Sequence, residues 1–154
     1  MNKVQEVKDS LLAIFKGSYI ELYKYANVDT SMLYMVRKGS YNELSDELRA
    51  DVGRSIDILR NHQTKILLVE HQEFELSHPD MIDWLVKHWY TILSKFELEV
   101  EAVIDTAGRW QQIRSMIEDT GNHRVTMPAF NTCGEANTFV KEYISLRKSL
   151  QSRL

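Results

Sequence analysis

The densest group of side chains able to do chemistry is Glu70-His71-Gln72-Glu73-Phe74-Glu75-Leu76-Ser77-His78. Histidines mixed with carboxylates first suggest a metal. His71 and His78 do not have the spacing that sets two imidazoles on one helix face, so no metal and no other cofactor is expected. Ser77, His78 and the downstream Asp105 are the residue types of a nucleophilic triad. The G-x-S-x-G elbow that would hold such a serine is missing, so no catalytic residue is assigned and the chain is read as not an enzyme. Ser77 is instead a candidate phosphosite, because the start of a helix favours added negative charge. Its plainer role is an N-cap, worth about 1 kcal/mol. Ala107-Gly108-Arg109 falls far short of a phosphate-cradling glycine loop.

Three further residue types invite a functional reading and take a structural one. Cys133 lies at a strand-to-helix turn, where a helix N-terminus can acidify a thiol, but a single buried cysteine usually packs as a small apolar group. His88, between Trp84 and Trp89, reads as a hydrogen-bonded core or interface histidine. Trp84, Trp89 and Trp110 read as core, since no basic residues interleave with them to make a base-stacking platform.

The elements that must position these groups follow from periodicity. Val4, Val7, Leu11, Ile14 and Phe15 predict an amphipathic helix over residues 3–15, closed by Lys16-Gly17. Its apolar stripe must cover either this domain's own sheet or a second copy, and of the two a homodimer is favoured. Residues 18–26 are aromatic and β-branched, and Met32–Val36 follows after Asn27-Val28-Asp29-Thr30, so an antiparallel hairpin is expected. Leu44, Leu48, Val52, Ile56 and Leu59 predict a helix over 42–61. Ile66-Leu67-Leu68-Val69 is an unbroken apolar run, the pattern of a central strand covered on both faces. Ser77-His78-Pro79-Asp80 opens a helix through Met81, Trp84, Leu85, His88, Trp89, Ile92 and Phe96. Val100–Ile104 is a fourth strand, Trp110–Ile117 a short helix, Val125–Phe130 a fifth strand, and a helix from about Gly134 frays into a polar tail.

The expected fold is therefore α/β: a single domain with a mixed, mostly parallel five-stranded sheet in the order ββαβαβαβα, plus the N-terminal helix. That divides the chain into a helix at 1–16 and an α/β domain at 17–154. In open α/β sheets ligands bind beyond the carboxyl ends of the strands. The polar segment after Val69 and the loop Asp105–Arg109 should open on that edge, so Glu70, His71, Glu73, Ser77, His78, Asp105 and Arg109 form the candidate crevice for a ligand or partner.

Composition narrows the partners. The chain has 154 residues, 44% of them apolar, enough to bury a core. Nineteen basic residues against 22 acidic ones, a formal charge of −3, argue against a nucleic-acid partner. No apolar stretch is long enough to span a membrane, and residues 1–9 are too charged for the heart of a signal peptide. With a single cysteine no internal disulfide can form, and a cytoplasmic setting is expected.

The chain also resembles the STAS-like domains related to the anti-sigma-factor antagonist SpoIIAA, in an uncharacterised bacterial branch. The resemblance covers residues 18–145. It is carried by Val36-Arg37-Lys38-Gly39 before a long helix, Lys65–Glu70, the helix opening Ser77-His78-Pro79-Asp80 with Asp83-Trp84-Leu85, the strand Glu101–Ile104, and Ala129-Phe130-Asn131-Thr132 before a helix with Glu135, Ala136 and Phe139. It implies a non-enzymatic signalling or protein-interaction module. The antagonists carry an Asp-Ser-Ser-Gly-like stretch where this chain reads Leu76-Ser77-His78-Pro79, which weakens the case for phosphorylation at Ser77. The alternative is a small-ligand or lipid carrier of related architecture, suggested by the aromatic first hairpin and the tryptophan-bearing helix; it would need an apolar cavity.

Overall fold

A computed structural model describes residues 11–26, 31–119 and 124–152. Its strands are β1 (Leu11–Lys16), β2 (Ile20–Tyr25), β3 (Met32–Ser40), β4 (Ile66–Glu75), β5 (Val100–Ile104) and β6 (Ala129–Phe130). Helix α1 (Asp46–Asn61) joins β3 to β4. A continuous helical rod joins β4 to β5: α2 (Pro79–Leu85), a π turn (Val86–Tyr90) and α3 (Thr91–Ser94). Helix α4 (Trp110–Glu118) precedes β6, and α5 (Cys133–Ser152) follows it.

The strands form one six-stranded sheet in the order β1-β2-β3-β4-β5-β6, the order of the chain itself. β1, β2 and β3 pair antiparallel, and β3, β4, β5 and β6 pair parallel. Among the described residues the sheet is thus mixed, with six strands where a mostly parallel five were expected, and its first three strands are antiparallel. The three parallel crossovers all step the same way, so their helices share a face. Leu33, Met35, Leu67, Val69 and Val103 point to that face and meet Leu48, Val52, Leu85, Trp89, Trp110 and Ile117. Val36, Ile66, Leu68, Val100, Ala102 and Ile104 point to the other face, where α5 covers them with Cys133, Ala136 and Val140. Side chains alternate across a strand, so a strand covered on both faces must be apolar throughout. Ile66–Val69, between β3 and β5, is such a segment, and all four residues are buried.

Four expectations change. Residues 1–10 of the predicted N-terminal helix lie outside the described residues, but Leu11–Lys16 is a strand. The run Leu11–Phe15 is apolar throughout, and a tight turn in which Gly17 N–H donates to Ile20 C=O at 2.8 Å folds it onto β2. Asp51 on α1 fixes that turn by accepting from Tyr19 N–H at 2.7 Å, and its carboxylate fills the space where a Cβ on Gly17 would sit. β4 continues as a strand through Glu75, where a loop was expected. Within the predicted strand Val125–Phe130 only Ala129–Phe130 is regular strand, with a single bridge from Thr126 to Val100; Pro128, with no N–H, lies between them. The last helix does not fray early but runs on through Ser152.

The helical rod also differs from a plain α-helix. Met81, Leu85, Trp89 and Leu93 are buried, as are Ile82, Val86 and Tyr90. Both rows repeat every four residues, a longer period than the 3.6 of an α-helix. The π turn at Val86–Tyr90 absorbs the difference. As a result Trp89 and Tyr90 both face the sheet, while His88, expected in the core or at an interface, is not in the core but exposed, and it stacks on the Trp84 ring at 4.9 Å.

Candidate functional site

Charged groups occur within the helix-bearing layer as well as at its edge. Arg37 on β3 and Glu101 on β5 are both fully buried, and Arg37 Nη2 donates to Glu101 Oε1 at 2.7 Å. The π turn supplies two more donors to that carboxylate: Tyr90 OH to Oε1 at 2.8 Å and Trp89 Nε1 to Oε2 at 3.1 Å. Burial works against the Arg37 charge, but Glu101 more than offsets this and holds its pKa above the ordinary value. Burial and the neighbouring Glu101 push the Tyr90 hydroxyl well above its usual pKa, so it remains a donor. The Arg37 guanidinium also lies over the rings of Trp110 at 5.2 Å and Phe74 at 5.5 Å.

His71, the register partner of Arg37 on β4, joins this cluster to the surface. Arg37 Nη1 lies 3.0 Å from His71 Nε2. A guanidinium only donates, so Nε2 accepts and the imidazole proton sits on Nδ1. Burial, then the positive charge of Arg37, hold the His71 pKa well below its ordinary value, and the ring is neutral. Its Nδ1 is buried with no partner, and so is Nε1 of Trp110, whose ring meets that of His71 edge-on at 5.1 Å. Each orphaned donor costs about 1–3 kcal/mol.

Two adjoining crevices open past the carboxyl end of β5, beside the last residues of β4. The larger, about 600 Å³, is walled by Ser40, His71, Glu73, Phe74 and Glu75 on one side and by Asp105, Thr106, Ala107 and Arg109 on the other. The smaller, about 140 Å³, shares Phe74, Glu75, Asp105 and Arg109 with it and adds Asn42, Leu76, Ser77, Trp110 and Ile113. Glu73 has a left-handed backbone, φ 48°, and the β3–β4 register shifts between Lys38 and Ser40, around Gly39 with φ 81°. This bulge brings three consecutive residues, Glu73, Phe74 and Glu75, onto one wall, which the alternation of a regular strand forbids.

Of the seven residues expected here, His71, Glu73, Asp105 and Arg109 line the larger crevice, and Ser77 lines the smaller. Glu70 faces the other side of the sheet, where its carboxylate accepts from Tyr34 OH. His78 stands at the start of α2 and lines neither crevice. Ser77 is not the N-cap. The cap position is His78, which gives no side-chain bond; Asn42 Oδ1 accepts from the backbone N–H of Ser77 at 2.6 Å and of His78 at 3.1 Å. Asp105 Oδ2 accepts from Trp110 N–H at 2.6 Å and so occupies the start of α4. Among the described residues no group of three or more His, Cys, Asp or Glu could hold a metal.

The site residues missed at the sequence level include Arg37 and Glu101 in the buried cluster and Asn42, Phe74, Glu75 and Trp110 in the crevice walls. Glu101 carried a readable signal: a lone carboxylate inside the apolar strand Val100–Ile104 must be paired if that strand is central. Comparison with protein-family models, curated proteins and solved structures finds no match for this chain. What the fold and site define is a single α/β sheet with a charge-rimmed crevice at the carboxyl edge of its parallel part.

Proposed function

We propose that this chain is a non-enzymatic, STAS-like interaction module that binds a protein partner in cytoplasmic bacterial signalling, with the paired crevices as its contact site. The observation that carries the reading is that the groups an enzyme would use at this edge do not converge. Glu70 faces the other side of the sheet and accepts from Tyr34 OH on the neighbouring strand, Asp105 accepts from the first N–H of α4, and the Ser77 hydroxyl lies at a marginal 3.5 Å from Asn42 Oδ1, which holds the Ser77 backbone N–H. The charges left over, Glu73, Glu75 and Arg109, are exposed on an open rim, where they suit recognition. Ser77, exposed beside the smaller crevice, is the place where a phosphate would alter that rim.

The order of elements supports the STAS comparison: four successive strand–helix units follow an antiparallel start. No described helix is long and apolar enough to cross a membrane. The carrier alternative calls for a sizeable apolar cavity, whereas the larger crevice has charged and hydroxyl-bearing walls and the smaller, partly apolar one holds only about 140 Å³. Homodimerisation was expected from an N-terminal helical stripe and loses that support where Leu11–Lys16 is a strand.

The test is affinity capture from the native host with wild-type chain and with Ala107→Trp, which sets a bulky ring in the wall of the larger crevice. The expected result is one or a few proteins held by wild type and released by the variant. An identical protein set on both would overturn the reading.

A further inference from the structure

The larger crevice owes its shape to a mismatch in strand length. The last β4–β5 register pair is Glu70 with Ile104, yet β4 runs on to Glu75. For five residues, 71–75, β4 is paired on its β3 side alone, and the lane that β5 would have continued is the crevice. A strand edge is a line of main-chain donors and acceptors that an added extended chain can match.

Two independent observations indicate what the lane takes. Among the described residues His71 Nδ1–H is a buried donor without a partner, and His71 lines the larger crevice. A carbonyl oxygen, which recurs along a peptide, is what such a donor lacks. Among the described residues lining this crevice, Glu73 and Glu75 are exposed carboxylates with no ion pair, and they face one exposed cation, Arg109. Asp105 deepens the negative balance.

We propose that this lane binds an extended peptide segment bearing basic side chains, added alongside residues 71–75 of β4, with a carbonyl toward His71 and its cations at Glu73 and Glu75. This rests on the reading of the chain as a protein-interaction module and names the chemistry of the partner. The bulge at Glu73 limits regular pairing to a short stretch, so recognition divides between main-chain bonds and rim charges.

Fluorescence anisotropy with labelled five-residue probes tests it: acetyl-Val-Lys-Val-Lys-Val-amide, its Glu counterpart, and the Lys probe N-methylated at alternate amides. The Lys probe should bind about tenfold tighter than the Glu probe, the scale of two exposed ion pairs. Glu73→Lys with Glu75→Lys should reverse that order, and N-methylation should abolish binding to wild type. Equal affinity for the Lys and Glu probes, or indifference to N-methylation, would overturn the proposal. If Ala107→Trp still releases a captured partner while the probes fail, the peptide lane falls and the interaction module stands.

Discussion

Arg37 and Glu101, 64 positions apart in the chain, meet at 2.7 Å inside the layer between sheet and helices, and neither reaches solvent. Taking both charges out of water is costly, and their attraction repays it only because Tyr90, Trp89 and His71 complete the bonding. Removing one partner strands the other. Arg37→Met or Glu101→Leu alone should cost about 3–5 kcal/mol in chemical denaturation. The double variant should cost clearly less than the sum, giving a strong coupling energy in a double-mutant cycle.

The neutral state of His71 makes stability depend on pH. Its folded pKa lies below the unfolded value, so below about pH 6.5 the unfolded chain binds a proton that the folded chain refuses. This contribution to stability is whole above about pH 6.5 and declines as pH falls toward the folded pKa. His71→Gln keeps an acceptor for Arg37 and cannot titrate. Urea midpoints measured from pH 7.5 down to about 5 should fall less steeply for this variant than for wild type.

Helix α2 is capped from a distance. Asn42 Oδ1 receives the backbone N–H groups of Ser77 and His78, so Asn42→Ala should cost about 1 kcal/mol of stability. Ser77→Ala, which removes a hydroxyl at a marginal 3.5 Å from Asn42, should cost less than half as much. Equal losses in thermal denaturation would restore Ser77 as the cap.

Gly17 and Asp51 exclude each other's enlargement. A methyl at Gly17 would overlap the carboxylate that holds Tyr19 N–H. Gly17→Ala and Asp51→Ala should each destabilise by about 1–3 kcal/mol, the first by overlap and the second by an unpaired amide. In the pair, Gly17→Ala should add little to Asp51→Ala, since the obstructing group is gone.

The parts of this fold legible in the sequence were those dictated by one strong period. The all-apolar Ile66–Val69, the helical stripe of α1 and the β2–β3 hairpin each had a single reading. The first strand did not, because Leu11, Ile14 and Phe15 fit a helix as well as an unbroken strand, and only pairing with β2 decides between them. The crevice was legible as a location, since strand ends at one edge converge there. The path of its wall was not: Gln72, Glu73 and Glu75 are polar like a loop, and their strand character comes from β3 lying alongside. The π turn could have been read from the fourfold rows Met81-Leu85-Trp89-Leu93 and Ile82-Val86-Tyr90. The Arg37–Glu101 pair could not be anticipated from periodicity, because its partners come from two strands that flank β4 without touching each other.

A sheet whose lateral order repeats its order of synthesis has a consequence for assembly on the ribosome. No late-emerging strand must wedge between two that have already joined. Each new unit adds to the outer rim of what is already in place, so the nascent chain can build this molecule outward, one neighbour at a time, without undoing earlier pairing.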